Sequence, residues 1–258
     1  MSLLPYIVSQ LRAAGCVFAE DEADLILATA DTPEQLAAMI EQRVAGFPLE
    51  HVLGWADFHG LRITLDPGVF VPRRRTEFLV DCAAELTAPG ALVIDLCCGS
   101  GALGAALAAA VDGGIDLHAA DVDPAAVACA RRNLPAGAHA YAGDLFDPLP
   151  TRLRGRVATL LANVPYVPTE DIALLPTEAR VHEARVALDG GADGLDVLRR
   201  VAAAAPSWLA PGGHLLFETS ERQVAHAVAA VRAAGLSVEI RTDEELDATV
   251  IVATATAV

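Results

Sequence analysis

Asp95-Leu-Cys-Cys-Gly99-Ser-Gly101-Ala-Leu-Gly104 follows an apolar run at 91–94 and opens an alanine-rich stretch. It therefore reads as a strand, a glycine turn and a helix in succession. The glycines let the main chain turn tightly and approach a ligand closely. Downstream, apolar runs at 115–120, 138–141, 157–162, 213–217, 237–241 and 249–255 alternate with helical patterns near 101–110, 124–133, 193–209 and 221–234, and a further helix near 77–87 precedes the first strand. This alternation predicts a mostly parallel, doubly wound α/β sheet of seven strands. Only 242–247 joins the last two strands, too little for a helical crossover, so the final strand is expected to run antiparallel.

Upstream, apolar residues recur at helical spacing from Leu3 to Val44, and Thr32-Pro33-Glu34-Gln35 reads as an N-cap, a first-turn proline and an acidic first turn. These short helices form a small domain that ends near Pro48. Segments 52–58 and 61–65 flank His59-Gly60 and predict a β-hairpin, followed by a connector. The expected division is 1–48 for the helical domain, 49–76 for hairpin and connector, and 77–258 for the sheet domain.

Composition narrows the classes. The 258 residues carry a formal charge of −16, contain no lysine and are 53% apolar. Phosphate backbones are gripped by clustered cations, so free nucleic acid is not expected as a partner. The longest low-polarity run, 96–111, is short and rich in small residues, which argues against a membrane span, and residues 1–12 carry no basic leader. Five cysteines without a CxxC, and seven histidines without an HxxxH pair, predict reduced thiols, a cytoplasmic setting and no metal.

Asp95, Asp121, Asp144 and Asn163 close the first four strands of the alternating pattern, each about one β-α unit from the last. A lone aspartate there reads as a helix cap. Four polar residues in register instead define a cleft, because open α/β sheets bind ligands outside the carboxyl ends of their strands. The glycine spacing suits a dinucleotide or S-adenosylmethionine. A carboxylate at Asp95 favours the latter, which carries an ammonium and a sulfonium. In that reading Cys97, Cys98, Gly99, Ser100 and Gly101 form the donor loop, Asp121 with Val122 receives the ribose hydroxyls, and Asp144 with Leu145 meets the adenine.

The fourth crest, Asn163-Val164-Pro165-Tyr166, places an amide oxygen, a constrained carbonyl and an aromatic face beside the donor. A planar nitrogen has a delocalised lone pair, so orientation must replace base catalysis; placement of this kind can supply about 7–11 kcal/mol. Arg73-Arg74-Arg75 reads either as a solvated loop or as a site for an acidic partner surface or the methionine carboxylate. His182-Glu183 reads as a surface pair, and Trp55 and Trp208 as core.

Together Asp95-Leu-Cys-Cys-Gly-Ser-Gly, Asn163-Val-Pro-Tyr, Pro72-Arg-Arg-Arg-Thr-Glu77, Ala187–Asp196 and Pro211–Glu218 resemble the protein-glutamine N5-methyltransferases of the HemK/PrmC type, over about residues 48–223. The resemblance implies a class I S-adenosylmethionine-dependent methyltransferase domain behind a small helical domain that helps hold a protein substrate. That substrate is commonly the Gly-Gly-Gln loop of a peptide-chain release factor. It also implies donor contacts from residues 97–101, Asp121, Leu145 and Asn163, glutamine binding by Asn163–Tyr166, and S-adenosylhomocysteine as product. Where the family has Asn-Pro-Pro-Tyr this chain has Val164, and Pro165 still holds that residue extended. Cys97 replaces a family glycine, and Ala184 a proline after Glu183. Three other readings remain at this point: an N-methyltransferase acting on another protein or on a small-molecule amide or amine, an adenine-N6 methyltransferase, opposed by the charge, and a donor-binding module without turnover.

Overall fold

The computed structural model describes residues 3 to 256. In chain order the elements are α1 (Leu3–Ala13), α2 (Ala19–Thr29), α3 (Pro33–Val44), α4 (Leu49–Leu53), β1 (Trp55–Phe58), β2 (Leu61–Thr64), α5 (Glu77–Leu86), β3 (Leu92–Leu96), α6 (Ala102–Ala110), β4 (Asp116–Asp121), α7 (Pro124–Asn133), β5 (His139–Ala142), β6 (Val157–Ala162), α8 (Thr177–His182), α9 (Asp196–Ala204), β7 (Leu209–Glu218), α10 (Val224–Ala233), β8 (Ser237–Asp243) and β9 (Ala248–Thr254). Among the described residues no helix is long and apolar enough to cross a membrane.

The N-terminal helices close on Ile7, Leu11, Ala23, Ile26 and Met39. Thr32 Oγ1 accepts from the Gln35 amide at 3.1 Å and Gln35 Oε1 accepts from the Asp31 amide at 2.8 Å, so α3 starts where the sequence predicts. Such a cap is worth about 1 kcal/mol. The hairpin begins later than expected. Residues 49–53 form α4, which carries Val52 and Leu53 into the helical core and stops at Gly54 with φ +77°, so β1 starts at Trp55. A few apolar positions in so short a run fit a strand or a helix turn equally well, and burial against α2 and α3 decides for the helix.

All seven expected strands of the main sheet form, in the order β5-β4-β3-β6-β7-β9-β8. The first five pair in parallel, and β9 runs antiparallel to both β7 and β8. β3 is buried at every residue, as a strand covered on both faces must be. One face packs Ile94, Leu160, Phe217 and Trp208 under α9 and α10; the other packs Val93, Leu161 and Leu216 under α5, α6 and the hairpin residues Phe58 and Ile63. Each fully buried side chain of this size contributes about 1.5–3 kcal/mol. Trp208 is core as expected, stacked on Phe146 at 5.1 Å, whereas Trp55 is half-buried beneath the Arg62 guanidinium.

This order puts the functional cleft in one place. The chain lays down β3, β4 and β5 in one direction and then returns to set β6 against the other side of β3. The crossovers diverge at that reversal, leaving a crevice outside the carboxyl ends of β3 and β6.

Candidate active site

The crevice opens into a cavity of about 810 Å³, within the range of roughly 300–1,000 Å³ typical of small-molecule sites. Cys97, Cys98, Gly99, Ser100, Asp121, Val122, Asp144, Leu145 and the whole of Asn163–Tyr166 line it. Asp95 and Gly101 do not, although the sequence suggests both as donor contacts.

Asp95 sits behind the loop, 1% exposed, with Oδ2 accepting from the Gly104 amide at 3.0 Å. Its Oδ1 is buried without a partner. Burial pushes this carboxyl up to about 7, against the pull of the Gly104 amide. A Cβ on Gly104 would meet Asp95 Oδ2 at 3.0 Å and Leu117 at 3.2 Å, so the last glycine of the motif lets α6 lie close on the sheet. Gly101 has φ +78° and caps α6 against Ala130, which explains why it supports the loop and does not line the cavity.

The other crests face the cavity with partners already in place. Asp121 accepts from the Gly99 amide through Oδ2 and from the Asp123 amide through Oδ1, both at 2.9 Å. A carboxylate has about four acceptor positions, so capacity remains for two hydroxyls. Burial nevertheless raises its pKa. Asp144 Oδ2 is bound by Arg200 from α9 at 2.5 Å, which leaves Oδ1 for a ligand amine. Cys97 and Leu145 take the left-handed conformation at φ +54° and +48°. Burial pushes the thiols of Cys97 and Cys98 well above the ordinary range, so both are neutral walls.

At the end of β6 the Asn163 side-chain oxygen is buried with no hydrogen-bond partner. Leaving such an acceptor unsatisfied costs about 1–3 kcal/mol. An incoming N–H donor removes that cost. The Val164 side chain is 2% exposed and packs in the core beside Ala162 and Leu195. The Tyr166 hydroxyl donates to Glu218 Oε1 at 3.1 Å and accepts from Arg75. Burial and the Glu218 charge push the phenol up to about 12. Behind the tetrapeptide, Gln223 Nε2 donates to the Tyr166 carbonyl at 2.9 Å. A Cβ on Gly194 would come 2.2 Å from that same carbonyl, and one on Gly190 2.7 Å from the carbonyl of Pro165.

A family model, the methyltransferase small domain, matches residues 60–193. The release factor glutamine methyltransferase of Geobacter sulfurreducens is 38% identical over 192 residues, which cover 72% of this chain and 66% of that protein. The Bifidobacterium longum enzyme of the same name is 34% identical over 266 residues, covering 89% of this chain and 90% of its own. The chain belongs to the release factor glutamine methyltransferase family. Its sheet domain is also similar in fold to a Thermus thermophilus 16S rRNA methyltransferase solved with S-adenosylmethionine and guanosine, at TM-score 0.56 and 20% identity over 78% of this chain and 49% of that one. The matched stretch spans just under two thirds of the Geobacter relative. As a family of methyltransferases, these proteins use S-adenosylmethionine as methyl donor.

In this family member the remaining wall is segment 167–190, with Leu175, Pro176, Glu178, Ala179, Ala184 and Val186 on the cavity. It is tied down at several points. Ala184 donates to the Gly68 carbonyl at 3.2 Å and Gly190 to that of Val167 at 2.9 Å, while Glu178 meets Arg43 of α3 at 2.5 Å. Glu183 is not a surface residue: its side chain is fully buried and takes Arg73 at 2.6 and 2.7 Å. His182, half-buried, stacks on Phe47 at 4.0 Å. The arginine cluster divides accordingly. Arg73 pairs with Glu183, Arg75 with Glu218 at 2.6 Å, and Arg74 faces solvent. Arg73 and Arg75 are thus engaged within the chain by carboxylates 110 and 143 residues away in sequence, contacts that neither the solvated-loop reading nor that of an acidic partner surface or the methionine carboxylate anticipates. The sequence reading also missed Gln223, Glu218, Gly190 and Gly194 as supports of the tetrapeptide. The local signals were the stretches Ala187–Asp196, which holds both glycines, and Pro211–Glu218, which ends on Glu218.

Proposed function

We propose that this chain transfers the methyl group of S-adenosylmethionine to the side-chain nitrogen of a glutamine in the Gly-Gly-Gln loop of peptide-chain release factors. The observation that carries the reading is the buried, unpartnered oxygen of Asn163 beside Pro165 and Tyr166. It asks for an N–H donor, and a carboxamide has two.

The residues present suit the donor. The loop 97–100 offers a close main-chain approach, Asp121 keeps acceptor capacity for the ribose and Asp144 Oδ1 for the adenine amine. S-adenosylmethionine, when bound, supplies a methyl carbon made electrophilic by its sulfonium. The chain's part is placement. The Asn163 oxygen and the Val164 carbonyl each take one amide N–H, the Tyr166 ring covers the planar group, and the nitrogen lone pair is left facing the methyl. With the donor bound, its methyl group would pass to the nitrogen so held, S-adenosylhomocysteine would be the leaving group, and an amide proton would go to water once methylation has made it acidic. No base is required. The side chain of Val164 is turned to the core, so a non-proline residue is compatible with this task.

Residues 1–48 and segment 167–190 flank the acceptor, the connector at 49–76 joins them to the catalytic domain at 77–258, and neither metal nor nucleic acid takes part in a cytoplasmic reaction. The test is tritiated methyl transfer to purified release factors, beside factors with Gln of the Gly-Gly-Gln loop replaced by Ala and beside an Asn163→Ala enzyme. Label on the wild-type factor that is lost in both controls is the expected result. Label absent from every factor despite measurable donor binding rejects the acceptor.

A further inference from the structure

Glu218 ends β7 and is 4% exposed, yet it does not line the cavity and has no part in holding the donor or the amide as described above. Three donors from two distant segments converge on it. Arg75 Nε reaches Oε1 at 2.6 Å, Thr76 Oγ1 reaches Oε2 at 2.6 Å, and the Tyr166 hydroxyl reaches Oε1 at 3.1 Å. Arg75 also bonds the Tyr166 oxygen and lies 5.8 Å from the centre of its ring. An ionised carboxylate is acceptor-only and suits three donors; an amide of the same shape would turn an N–H toward one of them.

The position of the ring follows from this. Gln223 fixes the main chain of Tyr166 at one end, and Glu218 with Arg75 fixes its hydroxyl at the other. The hydroxyl is thereby fully engaged, and burial with the Glu218 charge keeps it protonated. An aromatic ring that must cover a planar amide gains from having both ends held before the amide arrives.

We propose that Glu218 is a positioning residue for methyl transfer: by holding the Tyr166 hydroxyl together with Arg75, it sets the ring against which the acceptor amide is oriented. This rests on the glutamine-transfer reading, and one of its two tests is independent of activity.

The kinetic test compares Glu218→Gln, Tyr166→Phe and the double variant with wild type on release factor, with thermal unfolding and donor binding as checks of folding. Glu218→Gln is expected to lower kcat by about tenfold to a hundredfold with donor affinity unchanged. In the Tyr166→Phe background the same change is expected to have little further effect, because the two residues act as one unit. Equal losses in both backgrounds, or no loss in either, overturn the proposal.

The second test uses protein labelled with 13C-tyrosine, which contains three tyrosines, with the Tyr166 signal assigned by its disappearance in Tyr166→Phe. Glu218→Gln is expected to shift and broaden that signal alone. An unchanged Tyr166 signal overturns the proposal even if no protein acceptor is ever methylated; a shifted one with no methylation of any factor faults the acceptor assignment and not the positioning.

Discussion

The side-chain amide of Gln223 donates to the main-chain carbonyl of Tyr166 at 2.9 Å and to that of Asp193 at 3.0 Å, joining the tetrapeptide Asn163–Tyr166 to the glycine-rich turn that buttresses it. Ser220 Oγ donates to Gln223 Oε1 at 2.7 Å, which fixes the amide so that its nitrogen faces both carbonyls. Gln223→Leu keeps the volume and removes both donors. Unfolding by urea is expected to show a loss of about 1–3 kcal/mol, accompanied by slower methyl transfer at saturating donor.

Gly194 has φ +78°, and its missing side chain leaves the space that the Tyr166 carbonyl and Gln223 Nε2 occupy. Gly194→Ala forces the turn or the tetrapeptide to move. Methyl transfer is expected to fall by about a hundredfold, with donor affinity, measured calorimetrically, far less affected because the loop at 97–100 lies elsewhere.

Cys97 holds a left-handed conformation that costs a non-glycine residue about 1–2 kcal/mol. Cys97→Gly removes that strain and loses a small side chain packed against the core, so its melting temperature is expected to stay near wild type. Cys97→Val adds a β-branch at the same φ and is expected to destabilise by about 1–2 kcal/mol and to weaken donor binding. Thermal unfolding and donor titration of the two variants side by side check this.

Asp95 binds its proton more tightly folded, at about 7, than at its ordinary value of 3.8. Between those values the native state holds more protons than the unfolded state, so the group's contribution to stability declines as pH rises from about 4 to 7. Asp95→Asn removes that decline. The stability of the variant relative to wild type is expected to improve by about 2–3 kcal/mol between pH 5 and pH 8, read from denaturant midpoints at the two pH values.

The sheet was legible because each strand is a short apolar run between turn residues, and its switch point followed from four polar residues at successive strand ends. The tetrapeptide was legible for the same reason: Asn163, Pro165 and Tyr166 are adjacent in sequence. The supports of the site were not. Gln223 reaches Tyr166 across 57 residues and Glu218 reaches Arg75 across 143, and no local pattern marks a contact of that span. Asp95 shows the same limit, since its place at a strand end is identical whether or not its side chain lines the cavity. The structure keeps it off the cavity lining, with Gly104 close against one of its oxygens.

Arg73, Arg75 and Arg200 are the cations on the cavity wall among the described residues, and each is matched to one carboxylate: Glu183, Glu218 and Asp144. A visitor therefore meets a lining whose positive charges are already answered, while Glu50, Asp121 and Asp123 on the same wall form no ion pair among the described residues, so the charge left open to a ligand is negative. The same pairing accounts for which cation is used. Arg73 brings a single nitrogen, Nη2, to both oxygens of Glu183, whereas Arg75 reaches a carboxylate through Nε and a phenol through Nη2, the second a task for a planar fork that a lysine ammonium performs poorly. Exchanging Arg75 for lysine would leave the formal charge at −16 and still undo a two-partner contact on the cavity wall.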